Sequence, residues 1–125
     1  MFELKVTQYF AAAHNLREFG GRCENLHGHN WLVEAVVRAD HLDHLGLALD
    51  FGLFKKHLRA GLDLLDHRYL NELPDFQAQN PSSENIARFI FRHLAPLVEK
   101  ETTGRARLHS VSAWESDNAS ATYLE

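Results

Sequence analysis

The stretch His29-Asn-Trp31-Leu-Val33-Glu-Ala35-Val-Val37-Arg-Ala39 decides the fold. Aromatic and β-branched residues fill it, the types that pack well on a pleated surface, so it reads as a strand. Upstream, Phe2, Leu4 and Val6 alternate with Glu3, Lys5 and Thr7. That period of two marks a strand with one buried face, running to about His14. Gly20-Gly21 falls in the loop between the two strands. Downstream, Asp50 suits a helix N-cap, and Phe51, Phe54, Leu58, Leu62 and Leu65 share one face of a helix over about 51–65. Asn80-Pro-Ser-Ser-Glu84 reads as a turn and a capped start. The helix it opens carries Ile86, Phe89, Ile90 and Leu94 on one face, with Pro96 near its end. Strands over about 108–115 and 119–124 close the chain. The order strand, strand, helix, helix, strand, strand predicts an α+β domain with two helices on one face of a four-stranded antiparallel sheet. Such a sheet has two open edges, which other copies of the chain would cover, so a homo-oligomer is expected.

The 125 residues fit one domain, 1–125, with no repeat or linker. A hydrophobic fraction of 45% and a charged fraction of 24% are ordinary for a globular chain. A net charge of -4 gives no electrostatic reason to expect nucleic acid or an anionic membrane as partner. No apolar run is long enough to span a bilayer, and the N-terminus lacks the basic start and apolar stretch of a signal peptide. One cysteine, Cys23, excludes an internal disulfide framework and fits a reducing, cytoplasmic setting.

Nine histidines are the unusual number, and Cys23-Glu-Asn-Leu-His27-Gly-His29 is where two of them converge. On an extended segment, His27 and His29 point to the same face and can grip one ion. Gly28 between them suits close backbone approach. If the first two strands pair antiparallel, His14 at the end of Phe10-Ala-Ala-Ala-His14 meets them. Three imidazoles with an open fourth position make a catalytic zinc site, although imidazole also suits other transition metals. The plain alternative for each is a polar surface residue, and this reading is preferred for His41, His44, His57, His93 and His109.

Cys23 is either a small buried apolar residue or a thiol activated near a metal. In Leu65-Asp66-His67-Arg-Tyr-Leu-Asn71, Asp66 either orients His67 for proton transfer or simply faces water at a helix end. Glu115, in Ser112-Ala-Trp-Glu-Ser, either accepts two hydrogen bonds from an aminopyrimidine edge or is an exposed strand end. No phosphate-cradling glycine loop and no nucleophile-elbow serine occurs.

Together these motifs, with Asn80-Pro-Ser-Ser-Glu84 and Trp114-Glu-Ser, resemble the 6-pyruvoyl-tetrahydropterin synthase family, in its order and over nearly the whole chain. The compact length and the three residues between Cys23 and His27 look most like its bacterial branch, the 6-carboxy-5,6,7,8-tetrahydropterin synthases of queuosine precursor biosynthesis. The resemblance implies a tunnelling fold assembled as a homo-oligomer, a hexamer, with active sites between subunits. By similarity His14, His27 and His29 hold Zn2+. Cys23 is the proton-abstracting thiolate, Asp66 and His67 are a proton relay, and Glu115 anchors the pterin. The implied reaction converts 7,8-dihydroneopterin triphosphate to 6-carboxy-5,6,7,8-tetrahydropterin, acetaldehyde and triphosphate.

Arg68, Ser82 and Ser116 depart from the family's usual residues without touching these roles. Glu24 stands where a folate-type relative, which makes 6-hydroxymethyl-dihydropterin, carries its signature glutamate. That product, a pyruvoyl product, or a non-catalytic zinc- or pterin-binding oligomer are the alternatives. Arg17, Arg22 and Lys55 are candidate receivers of the triphosphate.

Overall fold

The computed structural model describes residues 1–125. Strands β1 (Phe2–His14) and β2 (His27–Ala39) form a long antiparallel hairpin, with His14 opposite His27 and Ala12 opposite His29. Helices α1 (Phe51–Leu62) and α2 (Ser83–Thr102) enclose a two-residue strand, β3 (Arg68–Tyr69). Strands β4 (Ala106–Ser116) and β5 (Ala119–Leu124) follow. The sheet order is β3-β1-β2-β4-β5, antiparallel except where β3 runs parallel to Ala12 and Ala13 of β1. The expected sheet of four strands therefore has a fifth. Two residues are too few to leave any periodic signal in a sequence.

Alternation along the strands sorts the side chains, with Gln8 the polar exception on the core face of β1. Val6 and Phe10 of β1, Trp31, Val33, Ala35 and Val37 of β2, and Val111 and Ala113 of β4 are buried on one face. Against them pack Phe54, Leu58 and Leu62 of α1 and Ile86, Ile90, Leu94 and Val98 of α2. Each such side chain contributes about 1.5–3 kcal/mol on full burial, so this layer holds the sheet to the helices.

The helix starts follow the sequence. Asp50 accepts from the Leu53 amide and Ser82 from the Asn85 amide, each satisfying a donor that a helix start leaves free. The first helix stops at Leu62 rather than Leu65, although Leu65 is still buried beyond its end, and Phe51 faces solvent. In α2, Pro96 lies inside the helix, which continues to Thr102. There the left-handed Thr103 ends it, and the Thr102 hydroxyl donates back to the Val98 carbonyl. No helix is long and apolar enough to cross a membrane.

Candidate metal centre and acid–base pair

At the end of the sheet beyond Trp31, the face that forms the core carries imidazoles instead. His14, His27 and His29 continue the buried-face parity of β1 and β2, so the pleat itself aims all three rings at one point. Their ring centroids lie 4.5 Å (His14–His27), 4.7 Å (His27–His29) and 5.2 Å (His14–His29) apart. Trp31 closes the inner side, edge-on to His14 and His29. The hairpin geometry that the sequence implied is thus present, with β2 beginning at His27 itself.

A fourth residue joins them. One potential ligand atom from each of His14, His27, His29 and Glu115 lies within 4.8 Å of all the others. Glu115 Oε1 stands 3.2 Å from His14 Nε2 and 3.0 Å from His29 Nε2. Neither nitrogen has a hydrogen-bond partner although both are buried, so each is free for another electrophile. The His14 ring is held by its other nitrogen, Nδ1 to the Pro81 carbonyl at 2.8 Å, and His27 likewise to the Asn25 carbonyl at 2.7 Å. Such contacts fix ring orientation and are the usual support of a metal-binding histidine. Burial lowers the pKa of His14 and of His29 below the ordinary imidazole value, which keeps both neutral and able to ligate near pH 7. The donor set, neutral nitrogens with one carboxylate, fits Zn2+.

Asp66 and His67 form the second group. Asp66 Oδ1 accepts from the Ala11 amide at 2.9 Å and lies 3.0 Å from His67 Nδ1. That backbone hydrogen bond is the main cause holding the Asp66 carboxyl below its usual range, aided by His67. His67 adopts φ 57, a left-handed conformation uncommon outside glycine, and its amide donates to the Ala11 carbonyl. The expected orienting contact is present, and the ring itself is 82% exposed. A cleft of about 550 Å³ runs from His67 to His29 along Ala11–Ala13 and Gly28. At Gly28 a methyl group would meet only the Ala12 carbonyl, at 3.8 Å, so the glycine answers no backbone demand and instead leaves the cleft floor open.

Cys23 is half-buried on the single helical turn Arg22–Glu24, and its sulfur is outside the four-atom cluster. Glu24 is exposed on that turn. Arg17, a candidate for triphosphate, is already engaged: its guanidinium donates to the carbonyls of Phe76 and Gln79 and to Asn80 Oδ1.

Two side-chain amides missed in the sequence do comparable work. Asn71, buried, exchanges a pair of hydrogen bonds with the Asn15 backbone at 3.0 and 2.9 Å. Asn80 does the same for Arg17, at 2.9 and 3.1 Å. Tyr69 also donates to Asn15. These bonds pin the segment after His14 where no strand pairs with it. Their only trace in the sequence is an Asn that closes one motif and an Asn that opens another.

The sequence model of the 6-pyruvoyl tetrahydropterin synthase family matches residues 3–125. The chain belongs to this family. Among curated 6-carboxy-5,6,7,8-tetrahydropterin synthases, that of Synechocystis is 36% identical over 120 residues, covering 92% of this chain and 87% of its own. The Bacillus subtilis protein of the same name is 34% identical, over 78% of this chain and 68% of its own. The Caenorhabditis elegans 6-pyruvoyl tetrahydropterin synthase structure superposes with a TM-score of 0.83 at 26% identity, covering 99% and 95% of the two chains. A Plasmodium vivax 6-pyruvoyltetrahydropterin synthase reaches 0.80 at 23% identity, covering 99% and 97%, which speaks to the fold alone. The α+β fold of the family, read from the order of elements, is therefore the fold of this chain.

Proposed function

We infer that this member of the family is a zinc-dependent lyase, a 6-carboxy-5,6,7,8-tetrahydropterin synthase acting on 7,8-dihydroneopterin triphosphate in queuosine precursor biosynthesis. The observation that carries the reading is the convergence of three inward-facing imidazoles, one of which, His29, lines the same cleft as His67 of the Asp66–His67 pair. The names of the Synechocystis and Bacillus relatives support the choice of product.

His14, His27 and His29 would hold the ion, and a bound Zn2+ supplies Lewis acidity toward the hydroxyls of the substrate side chain. Cys23 takes the proton from the side-chain carbon as its thiolate. His67, oriented at Nδ1 by Asp66, passes protons between side chain and ring through its outward Nε2. Glu115 accepts the N–H groups of the aminopyrimidine edge. Triphosphate leaves by elimination, and shortening of the side chain releases acetaldehyde.

Assembly belongs to the same reading. His67 is 82% exposed, and a proton relay works best away from bulk water. The outer edge of β1 is paired only at Ala12 and Ala13, and β5 pairs on one side only. A homo-oligomer, a hexamer with sites between subunits, would cover both edges and His67 together. The unpaired Cys23 suits a cytoplasmic protein.

Product analysis tests the reading. Zinc-loaded protein incubated with 7,8-dihydroneopterin triphosphate should yield 6-carboxy-tetrahydropterin and acetaldehyde by mass spectrometry. A 6-hydroxymethyl product would assign the chemistry to Glu24, a pyruvoyl product would assign it to the other branch, and no turnover would sink the lyase. Cys23→Ala should lose product formation by about 100-fold or more while still binding zinc. Unchanged turnover would remove Cys23 from the mechanism.

A further inference from the structure

Arg88 carries a charge that no carboxylate of the chain answers. It is half-buried on α2, and its Nη2 donates to Gln79 Oε1 at 3.2 Å and to Asn85 Oδ1. Both acceptors are neutral amides. Taking a guanidinium partly out of water without a counter-ion is unfavourable, so such a group is normally found paired. The two amides hold one nitrogen and thereby orient the rigid plane, while the N–H groups on Nε and Nη1 are left to donate elsewhere.

The neighbours of Arg88 add to its field. Arg92 stands one turn further along α2, where like charges repel across the turn, and it reaches Glu125 Oε2 only at 3.9 Å. His93 follows it. The ring of His93 is seated by Gly61 of α1, where a Cβ would stand 3.1 Å from His93 Cδ2. A glycine inside a helix is otherwise disfavoured. Arg88, Arg92 and His93 line one cavity of about 290 Å³, together with Gln79 and Asn85. Asp75 is the one carboxylate on its wall, and it is exposed. In a chain of net charge -4 this is a local concentration of cations. A water takes about 30 Å³ of the liquid, so the cavity has room for an anion well beyond a single carboxylate. It also shares its support with the histidine cluster. Asn85 Nδ2 donates to the Asn80 carbonyl at 2.8 Å, and the next carbonyl, that of Pro81, contacts His14.

We propose that Arg88, Arg92 and His93 form a binding site for a phosphoryl anion, with Arg88 as its pre-oriented anchor. Guanidinium groups match phosphoryl oxygens in charge and in hydrogen-bond geometry. Two sources share this chemistry: the triphosphate tail of the substrate, and a separate phosphorylated molecule. The first source rests on the lyase reading above, and the site itself does not.

Inorganic triphosphate is the probe, titrated calorimetrically into zinc-loaded protein. The wild type should bind it, and Arg88→Gln and Arg92→Gln should each bind about tenfold or more weakly. Arg92 is 65% exposed, so its variant keeps the test sound if Arg88→Gln fails to fold. Arg107→Gln, which removes an exposed arginine outside the cavity, should bind as the wild type does. A KM for 7,8-dihydroneopterin triphosphate raised about tenfold in Arg92→Gln would identify the tail of the substrate. An unchanged KM, with triphosphate binding weakened, would identify a separate phosphorylated ligand. No binding of triphosphate to the wild type, or equal binding in the wild type and both variants, overturns the site and leaves the lyase reading standing. Absence of turnover in the wild type, with triphosphate binding weakened in the variants, overturns the lyase reading and leaves the site.

Discussion

One face of two strands is an apolar core at one end and a histidine cluster that could hold a metal at the other. From Val6 to Phe10 and from Ala39 back to Trp31, the inward positions are apolar except Gln8, and the apolar ones pack with the helices in one core. Past Trp31 the same parity brings His29, His27 and His14. What changes is the cover. Here the Pro81 carbonyl that precedes α2 meets His14, and His29 alone of the three lines a cleft. Trp31 stands between the regimes, fully buried, stacked on Phe10 at 5.9 Å and edge-on to two of the histidines. Strand parity thus chooses which side chains meet, and the covering layer decides whether the meeting place is core or site.

The most damaging way to break this division is at its border. Trp31→Ala should cost about 3–5 kcal/mol in chemical denaturation and misalign His14 and His29 as well, because one ring supports both regions. A sharper test removes function and spares the fold. His29→Ala should weaken zinc binding by about 100-fold or more, while thermal melting of the metal-free protein changes by about 1 kcal/mol or less. If both variants lost stability equally, the two ends would be one cooperative core. Between these extremes lies Asn71→Ala, which leaves the Asn15 amide and carbonyl without their partner. It should cost about 1–3 kcal/mol, with a loss of metal affinity that the distant core would not share.

The smallest effect concerns Asp66. Its carboxyl pKa is lowered in the folded chain, chiefly by the Ala11 amide and also by His67 and Arg59. A depressed carboxylate contributes stability above its unfolded value of about 3.9 and loses it as pH falls toward the folded value. Asp66→Asn should therefore be less stable than wild type by under about 1 kcal/mol at pH 7, and the difference should shrink as pH falls below about 4 and vanish only below the lowered folded value. A difference that persisted in acid would mean that Asp66 acts through packing instead.

Much of this architecture was legible because it is periodic. Alternation in Phe2–Val6 and the helical spacing of Phe54, Leu58 and Leu62 report burial directly, and the histidine trio follows from the same parity. Phe51 was misread because it starts the helix, where the apolar stripe has not yet turned under the sheet. The Asn71, Asn80 and Pro81 contacts cross 56 to 67 residues of chain, and single long-range bonds leave no repeat to detect. Glu115 was visible as a strand-end carboxylate, but its place among the histidines depends on a one-residue shift between β4 and β5.

The direct pairing of His14 with His27 also governs which insertions and deletions this chain can absorb. A residue gained or lost within Phe10–His14 or His27–Trp31 would turn at least one imidazole to the opposite side of the pleat. The exposed tip Glu18–Gly21 obeys no such rule, since its backbone is free of the strand ladder and Asn71 and Asn80 anchor the chain before it. Length should therefore drift at that tip and stay fixed on either side of it, so that the turn becomes the place to graft a tag or a label without unseating a ligand.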